Sequence, residues 1–278
     1  MTNTLDELAE NFDAFLVDQF GVLIDGSGAY AYAPKALKRL KTYGKPIYIL
    51  SNSGKRAEQN IQRLLSYGLD RRSFDGVITS GEVAFWDIQN HVKDRGSAQL
   101  KVFLLSRDND LSAIEGAACE RVITPQEAEL IIIAGSEAEK RTMDEYRTLL
   151  GDAAARGVPA LCTNPDLKML TALGQRFGAG AIAMEYQAMG GRVRWYGKPH
   201  SAIYEFALQR LGNISNDKVI CFGDSPEHDL RGAHGVGCKG ALVRTGLSET
   251  FDSSSHHTTQ ASSDQPDFII DRFCFAGV

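Results

Sequence analysis

Phe15-Leu16-Val17-Asp18-Gln19-Phe20-Gly21-Val22-Leu23 is an apolar run that ends on an aspartate and then turns at a glycine. Far along the chain, Val219-Ile220-Cys221-Phe222-Gly223-Asp224-Ser225-Pro226-Glu227-His228-Asp229 has the same design. Each places an acid where a strand ends. In open parallel α/β sheets, ligands bind outside the carboxyl ends of the strands. Two carboxylates meeting at that edge suit Mg²⁺, which takes oxygen ligands and often shares them with a phosphate.

Short β-rich runs recur around these segments with helical stretches between them. Phe15–Val17, Ile47–Leu50 and Val77–Thr79 read as strands, with helices over Pro34–Tyr43 and Lys55–Tyr67. In the second helix, Ile61, Leu64 and Leu65 share one face. The middle repeats the rhythm, with strands over Val102–Leu105, Leu130–Ala134 and Ala160–Cys162 and helices over Gly81–Lys93 and Ala138–Arg156. Val219–Phe222, Ala241–Val243 and Phe268–Ile270 read as the last strands. Alternation of this kind predicts parallel sheets with helices packed on their faces. The run Glu129-Leu130-Ile131-Ile132-Ile133-Ala134 reads as a central parallel strand buried on both faces.

A chain of 278 residues fits one large domain or two moderate ones. The net charge of -5 argues against general nucleic-acid or membrane-surface binding, which needs a basic footprint. A small phosphorylated ligand stays compatible, because backbone amides at a helix start and one lysine build an anion site. Cys119, Cys162, Cys221, Cys238 and Cys274 are scattered and form no CxxC pair, which predicts a reduced cytoplasmic protein. Met1 to Phe12 is polar and acidic, unlike a secretory signal, and no stretch has the length of a membrane span. Ser253–Gln265 is rich in Ser, Thr and His and reads as a surface loop; His256 and His257 within it have no partner at metal-ligand spacing.

Asp18 is a candidate carboxylate nucleophile toward phosphorus. Ser51-Asn52-Ser53 follows an apolar strand, where a hydroxyl and amides can hold phosphate oxygens. Gly197-Lys198-Pro199 supplies a point positive charge before a helix near His200. Asp224 is a candidate Mg²⁺ ligand, and Asp229 a support for Lys198 or for a metal-bound water. Each segment also has a plain structural reading, as a strand end, a helix cap or a turn. Their joint order is what favours chemistry.

The four segments, in this order, resemble the haloacid dehalogenase (HAD) superfamily of hydrolases. The short gap between Asp18 and Ser51 and the long one between Ser51 and Lys198 resemble its class IIA, the NagD-like and 4-nitrophenylphosphatase-like branch. Cys162-Thr163-Asn164-Pro165-Asp166 is similar to a segment of that branch's cap. The resemblance implies a Rossmann-like core over residues 1–81 and 195–278, with an α/β cap domain inserted at 82–194. It implies a Mg²⁺-dependent phosphatase acting on a small phosphorylated metabolite, a sugar phosphate or nucleotide, through an aspartyl-phosphate on Asp18. Asp18, the backbone carbonyl of Phe20 and Asp224 would be the metal ligands. Ser51 and Lys198 would bind the phosphoryl group, Gly21 and Asn52 would shape its pocket, and Asn164 and Asp166 would lie at its mouth. A homodimer is compatible with the resemblance, and composition is silent on it.

One position departs from the pattern. The family's phosphatases usually carry an acid/base aspartate two residues after the nucleophile, and this chain has Phe20 there. Loss of a general acid/base lowers rate by ~10²–10⁴-fold. Three readings follow: a phosphatase using another acid/base, with Asp25, Glu227 and His228 as candidates; a metal-independent aspartyl-ester hydrolase, as in dehalogenases; or a phosphate-binding module without turnover.

Overall fold

The structure is a computed structural model and describes residues 2–93, 98–171, 173–248 and 262–277. In chain order the elements are α1 (Leu5–Asn11), β1 (Ala14–Asp18), α2 (Ala33–Lys41), β2 (Ile47–Ser51), α3 (Ala57–Ser66), β3 (Gly76–Thr79) and α4 (Ser80–Lys93). Then come β4 (Leu100–Leu105), β5 (Cys119–Arg121), β6 (Leu130–Ile133), α5 (Met143–Ala155) and β7 (Pro159–Cys162). The hairpin strands β8 (Lys168–Thr171) and β9 (Gly174–Phe177) lead to α6 (Ala179–Ala188) and β10 (Arg192–Trp195). The chain closes with α7 (Ser201–Leu211), β11 (Val219–Gly223), α8 (Arg231–Gly235), β12 (Lys239–Val243) and β13 (Phe268–Ile270).

Two compact units result. The first comprises Met1–Ser51, Ala57–Ile78 and Lys198–Val278; the second, Asn52–Arg56 and Thr79–Gly197. These bounds differ from the expected ones by three residues at each crossing, and Asn52–Arg56 groups with the second unit.

The first unit holds a six-stranded sheet in the order β13-β12-β11-β1-β2-β3. From β1 the chain proceeds to β2 and β3 on one side and later to β11, β12 and β13 on the other. The order therefore reverses between β1 and β11, which pair in parallel with Val17 opposite Phe222. That crevice is where an open α/β sheet binds ligands. All five residues of β1 are buried. Phe15 and Val17 pack with Ile47, Ile49, Ile220 and Phe222 in one core cluster. Truncating such a residue (Phe15→Ala) costs about 3–5 kcal/mol.

The second unit is built on a parallel sheet in the order β10-β7-β6-β4-β5, with β8 and β9 as a separate antiparallel pair. Leu130–Ile133 is a central strand buried throughout, as its uniform apolarity predicts. Its core packs Ile131 and Ile133 against Tyr146 and Leu150 of α5 and Ile182 and Tyr186 of α6. Helix α5 starts at Met143, later than the expected Ala138. Thr142 forms a capping box with Glu145, satisfying backbone donors at both ends of the box and fixing the start there.

The expected loop at Ser253–Gln265 is described only from Ser262 onward, so His256 and His257 lie outside the described residues. Its described end is not loose. Ser262–Asp264 is a short 3₁₀ turn, and the Asp264 carboxylate takes both Arg231 Nε and Nη2 at 2.8 and 2.6 Å. Among the described residues no helix is long and apolar enough to cross a membrane. All five cysteines are free thiols.

Candidate active site

Parallel pairing brings the carboxyl ends of β1 and β11 side by side, and with them Asp18 and Asp224. Lys198 and Asp229 complete the group, and all four side chains are buried. Lys198 Nζ donates to Asp18 Oδ1 at 2.5 Å and to Asp229 Oδ1 at 2.6 Å. Asp18 Oδ1 also accepts the Gln19 amide at 2.7 Å, and Asp229 Oδ2 accepts the Ser225 amide at 3.1 Å. The expected support of Lys198 by Asp229 is thus a direct ion pair. Ser51, the last residue of β2, is buried as well.

Asp224 is held by a segment that sequence reading passed over. Beyond β12, Leu247 N donates to Asp224 Oδ2 at 2.7 Å and Ser248 Oγ donates to the Asp224 carbonyl at 2.5 Å. Thr245 Oγ1 donates to the Gly21 carbonyl at 2.5 Å. The signal was present in Ala241-Leu242-Val243-Arg244-Thr245-Gly246, an apolar strand running into a hydroxyl and a glycine. Gly21 has φ +84° and Gly246 φ +56°, left-handed conformations that favour glycine. A Cβ on either would lie 2.0 or 2.1 Å from Asp224 Oδ2. Glycine is required at both positions because the carboxylate sits against bare backbone.

The electrostatics of the cluster are one-sided. Carboxylate oxygens of Asp18, Asp224 and Asp229 lie within 4.8 Å of one another, and one ammonium faces them. Burial raises the Asp18 carboxyl well above its usual range; Lys198 opposes this, and the Asp229 and Asp224 charges add to it. Burial first, then the Asp229 charge, pushes Asp224 up to about 7. Burial would depress the Lys198 ammonium, but the Asp18 and Asp229 charges outweigh it and raise its pKa. A buried oxygen cluster with excess negative charge fits a divalent cation of the Mg²⁺ kind.

The remaining expected residues fall in two places. Phe20 follows β1 with its side chain 47 % exposed and bridges to Ile24. Asn52, Asn164 and Asp166 belong to the second unit. There Asn52 Nδ2 donates to Asp166 Oδ1 at 2.9 Å, and the Asp166 amide donates to Asn164 Oδ1 at 3.1 Å. Asn164-Pro165-Asp166 is therefore an Asx turn whose Asp166 carboxylate is tied to Asn52. Of the candidate acids, Asp25 accepts from Ser27 N, Ser27 Oγ and Gly28 N, which lowers its pKa. Glu227 is exposed and His228 half-buried.

Comparison with known proteins gives the same direction. The chain is 27% identical over 259 residues to the sugar-phosphatase AraL of Bacillus subtilis, covering 92% of this chain and 89% of that one. It superposes on a haloacid dehalogenase-like hydrolase from Brucella suis with a TM-score of 0.81 at 26% identity, covering 98% and 99% of the two chains. It superposes on a p-nitrophenyl phosphatase from Archaeoglobus fulgidus with a TM-score of 0.74 at 25% identity, covering 95% and 97%. The family model for haloacid dehalogenase-like hydrolases matches residues 13–237. With Asp18, Lys198, Asp224 and Asp229 all inside that span, the chain belongs to the haloacid dehalogenase-like hydrolases.

Proposed function

We propose that this hydrolase is a Mg²⁺-dependent phosphatase that cleaves small phosphorylated metabolites through an aspartyl-phosphate on Asp18. The observation that carries the reading is the buried Asp18–Lys198–Asp229 chain with Asp224 beside it, at the switch point of a parallel sheet. A carboxylate paired with a lysine in that crevice is placed to attack phosphorus.

The residues divide the work as follows. Asp18 attacks the phosphoryl group. Lys198 offsets the charge on the nucleophile and on the transferring phosphoryl oxygens, and Asp229 orients Lys198. Ser51 binds a phosphoryl oxygen. Asp18, the Phe20 carbonyl and Asp224 hold the metal, which supplies positive charge to the phosphoryl oxygens when bound. Gly21 keeps the floor of the pocket open for Asp224. The inserted unit would be the cap domain, and Asn52, Asn164 and Asp166 would be its substrate-binding residues. The reduced thiols and the absence of a basic footprint accord with a cytoplasmic enzyme of small molecules, without nucleic-acid or membrane partners. A homodimer is the oligomer to look for first.

The test is phosphate release from p-nitrophenyl phosphate and from a panel of sugar phosphates and nucleotides, with and without Mg²⁺. Release that needs Mg²⁺ and disappears in Asp18→Asn is the expected result. Release that survives Asp18→Asn overturns the nucleophile assignment. Equal rates with and without a chelator overturn the metal assignment.

A further inference from the structure

We infer, building on the metal assignment above, that Thr245 is a positioning residue for the cation site. Its hydroxyl fixes the spacing between the Phe20 carbonyl and Asp224, and with it the discrimination between Mg²⁺ and Ca²⁺. The support lies in how the backbone around these two ligands is fastened.

The turn after β1 is pinned on both sides of Phe20. On the near side, the Gln19 amide donates to Asp18 Oδ1 at 2.7 Å and to the Leu50 carbonyl at 3.2 Å. The Gln19 carbonyl accepts the Leu23 and Ile24 amides at 3.1 and 3.0 Å. On the far side, the Gly21 amide donates to the Ile24 carbonyl at 2.8 Å, and Thr245 Oγ1 donates to the Gly21 carbonyl at 2.5 Å. Of these bonds only the last is donated by a side chain. The Phe20 carbonyl between the two pins accepts no hydrogen bond from a described residue. The turn therefore presents that oxygen while holding its neighbours.

Asp224 is fastened from the same stretch of chain. Leu247 N donates to its Oδ2 at 2.7 Å, and Ser248 Oγ to its carbonyl at 2.5 Å. β12 does not lie beside β1, because β11 stands between them. To reach Gly21 from the end of β12, the chain has to pass over the end of β11, where Asp224 sits. The glycine contacts trace that path. A Cβ on Gly246 would stand 2.1 Å from Asp224 Oδ2 and 2.6 Å from Gly21 Cα. Thr245–Ser248 thus clasps two ligand-bearing segments that lie on different strands.

A fixed spacing discriminates between ions. Mg²⁺ demands near-octahedral oxygen ligands at about 2.0–2.1 Å, whereas Ca²⁺ takes a larger and more flexible set at about 2.3–2.6 Å. Ligands held rigid serve the first; ligands free to move apart accommodate the second. Removing the Thr245 hydroxyl frees the Gly21 peptide, and with it the adjoining Phe20 carbonyl, to shift against Asp224. Groups that orient metal ligands are worth ~10–100-fold in metal affinity.

The experiment titrates Mg²⁺ alone and Ca²⁺ alone into the full chain, without substrate, by isothermal calorimetry. It uses the wild type, Thr245→Val, Thr245→Ser and Ser248→Ala, with urea midpoints measured alongside. Thr245→Val is expected to weaken Mg²⁺ binding by ~10-fold or more and Ca²⁺ binding by less, so that the preference narrows. Thr245→Ser keeps the donor and is expected to keep the wild-type ratio of affinities. Ser248→Ala frees the Asp224 backbone instead of Gly21 and is expected to narrow the ratio in the same direction, which carries the test if Thr245→Val does not fold. A merely structural hydroxyl would lower the urea midpoint and leave the ratio alone, and that result overturns the inference. Equal losses for the two ions overturn it as well. A wild type that binds neither ion overturns the metal assignment together with the inference. Phosphate release plays no part in this readout. A narrowed ratio in a chain that releases no phosphate therefore upholds the inference and removes only the phosphatase reading.

Discussion

Replacing Gly21 by alanine tests whether the Asp224 carboxylate is held against bare backbone. Two penalties add at this position. The φ of +84° is a left-handed conformation, which costs a residue with a Cβ about 1–2 kcal/mol. The new Cβ would also stand 2.0 Å from Asp224 Oδ2 and 2.3 Å from its Cγ. The carboxylate must retreat by about 1 Å to reach a tolerable contact, and overpacking of that kind costs about 1–3 kcal/mol. Asp224 cannot retreat freely, because its Oδ2 is bonded to Leu247 N and its carbonyl to Ser248 Oγ. Gly44→Ala is the control. Its φ of +71° carries the same backbone strain, but nothing lies within 4 Å of a Cβ there. Urea unfolding of both variants is expected to place Gly44→Ala ~1–2 kcal/mol below the wild type. Gly21→Ala should fall below Gly44→Ala by about 1–3 kcal/mol more. Displacing a reacting-site group by about 1 Å lowers rate by ~10²-fold. Phosphate release by Gly21→Ala should fall by that order, with more Mg²⁺ needed for half-activity, while Gly44→Ala keeps wild-type turnover. Equal stability of the two variants, or full activity in Gly21→Ala, refutes the contact argument.

Lys198→Met leaves Asp18 and Asp229 buried side by side without their shared ammonium, and breaking a buried pair in this way costs about 3–5 kcal/mol. Urea midpoints in chelator at neutral pH should show the loss, and an unchanged midpoint would contradict the pairing. Arg231 holds the Asp264 carboxyl below its usual range, so this pair stabilises the fold above the unfolded carboxylate pKa. That contribution disappears as pH falls through the depressed folded value, and the melting temperatures of wild type and Asp264→Asn should converge as pH drops below the ordinary aspartate range. A constant gap at every pH would show that the pair's charge does not matter.

The sequence was most informative where local order carries the chemistry. An apolar run closed by Asp18 or by Gly223-Asp224 marks a parallel strand and its functional end, because side-chain pattern and strand end are both local properties. The same holds for Leu130–Ile133, whose uniform apolarity announces burial on both faces. Short strands with little buried surface escaped notice. Cys119–Arg121 is half-buried at best, and the hairpin strand Gly174–Phe177 is exposed or intermediate throughout, so neither shows a period to read.

Long-range packing set the rest. Nothing in the spacing of Thr245-Gly246-Leu247-Ser248 says that it locks Asp224, because that contact follows from β11 and β12 lying side by side. Nor does local sequence tie Asn52 to Asp166, which are 114 residues apart. The residue types and order of Asp18, Ser51, Lys198, Asp224 and Asp229 were legible from the chain. The chain could not disclose that one buried ammonium bridges Asp18 and Asp229 while glycine backbone presses on Asp224. A hydrogen bond depends on distance in space, and only the register of the folded sheet sets that distance.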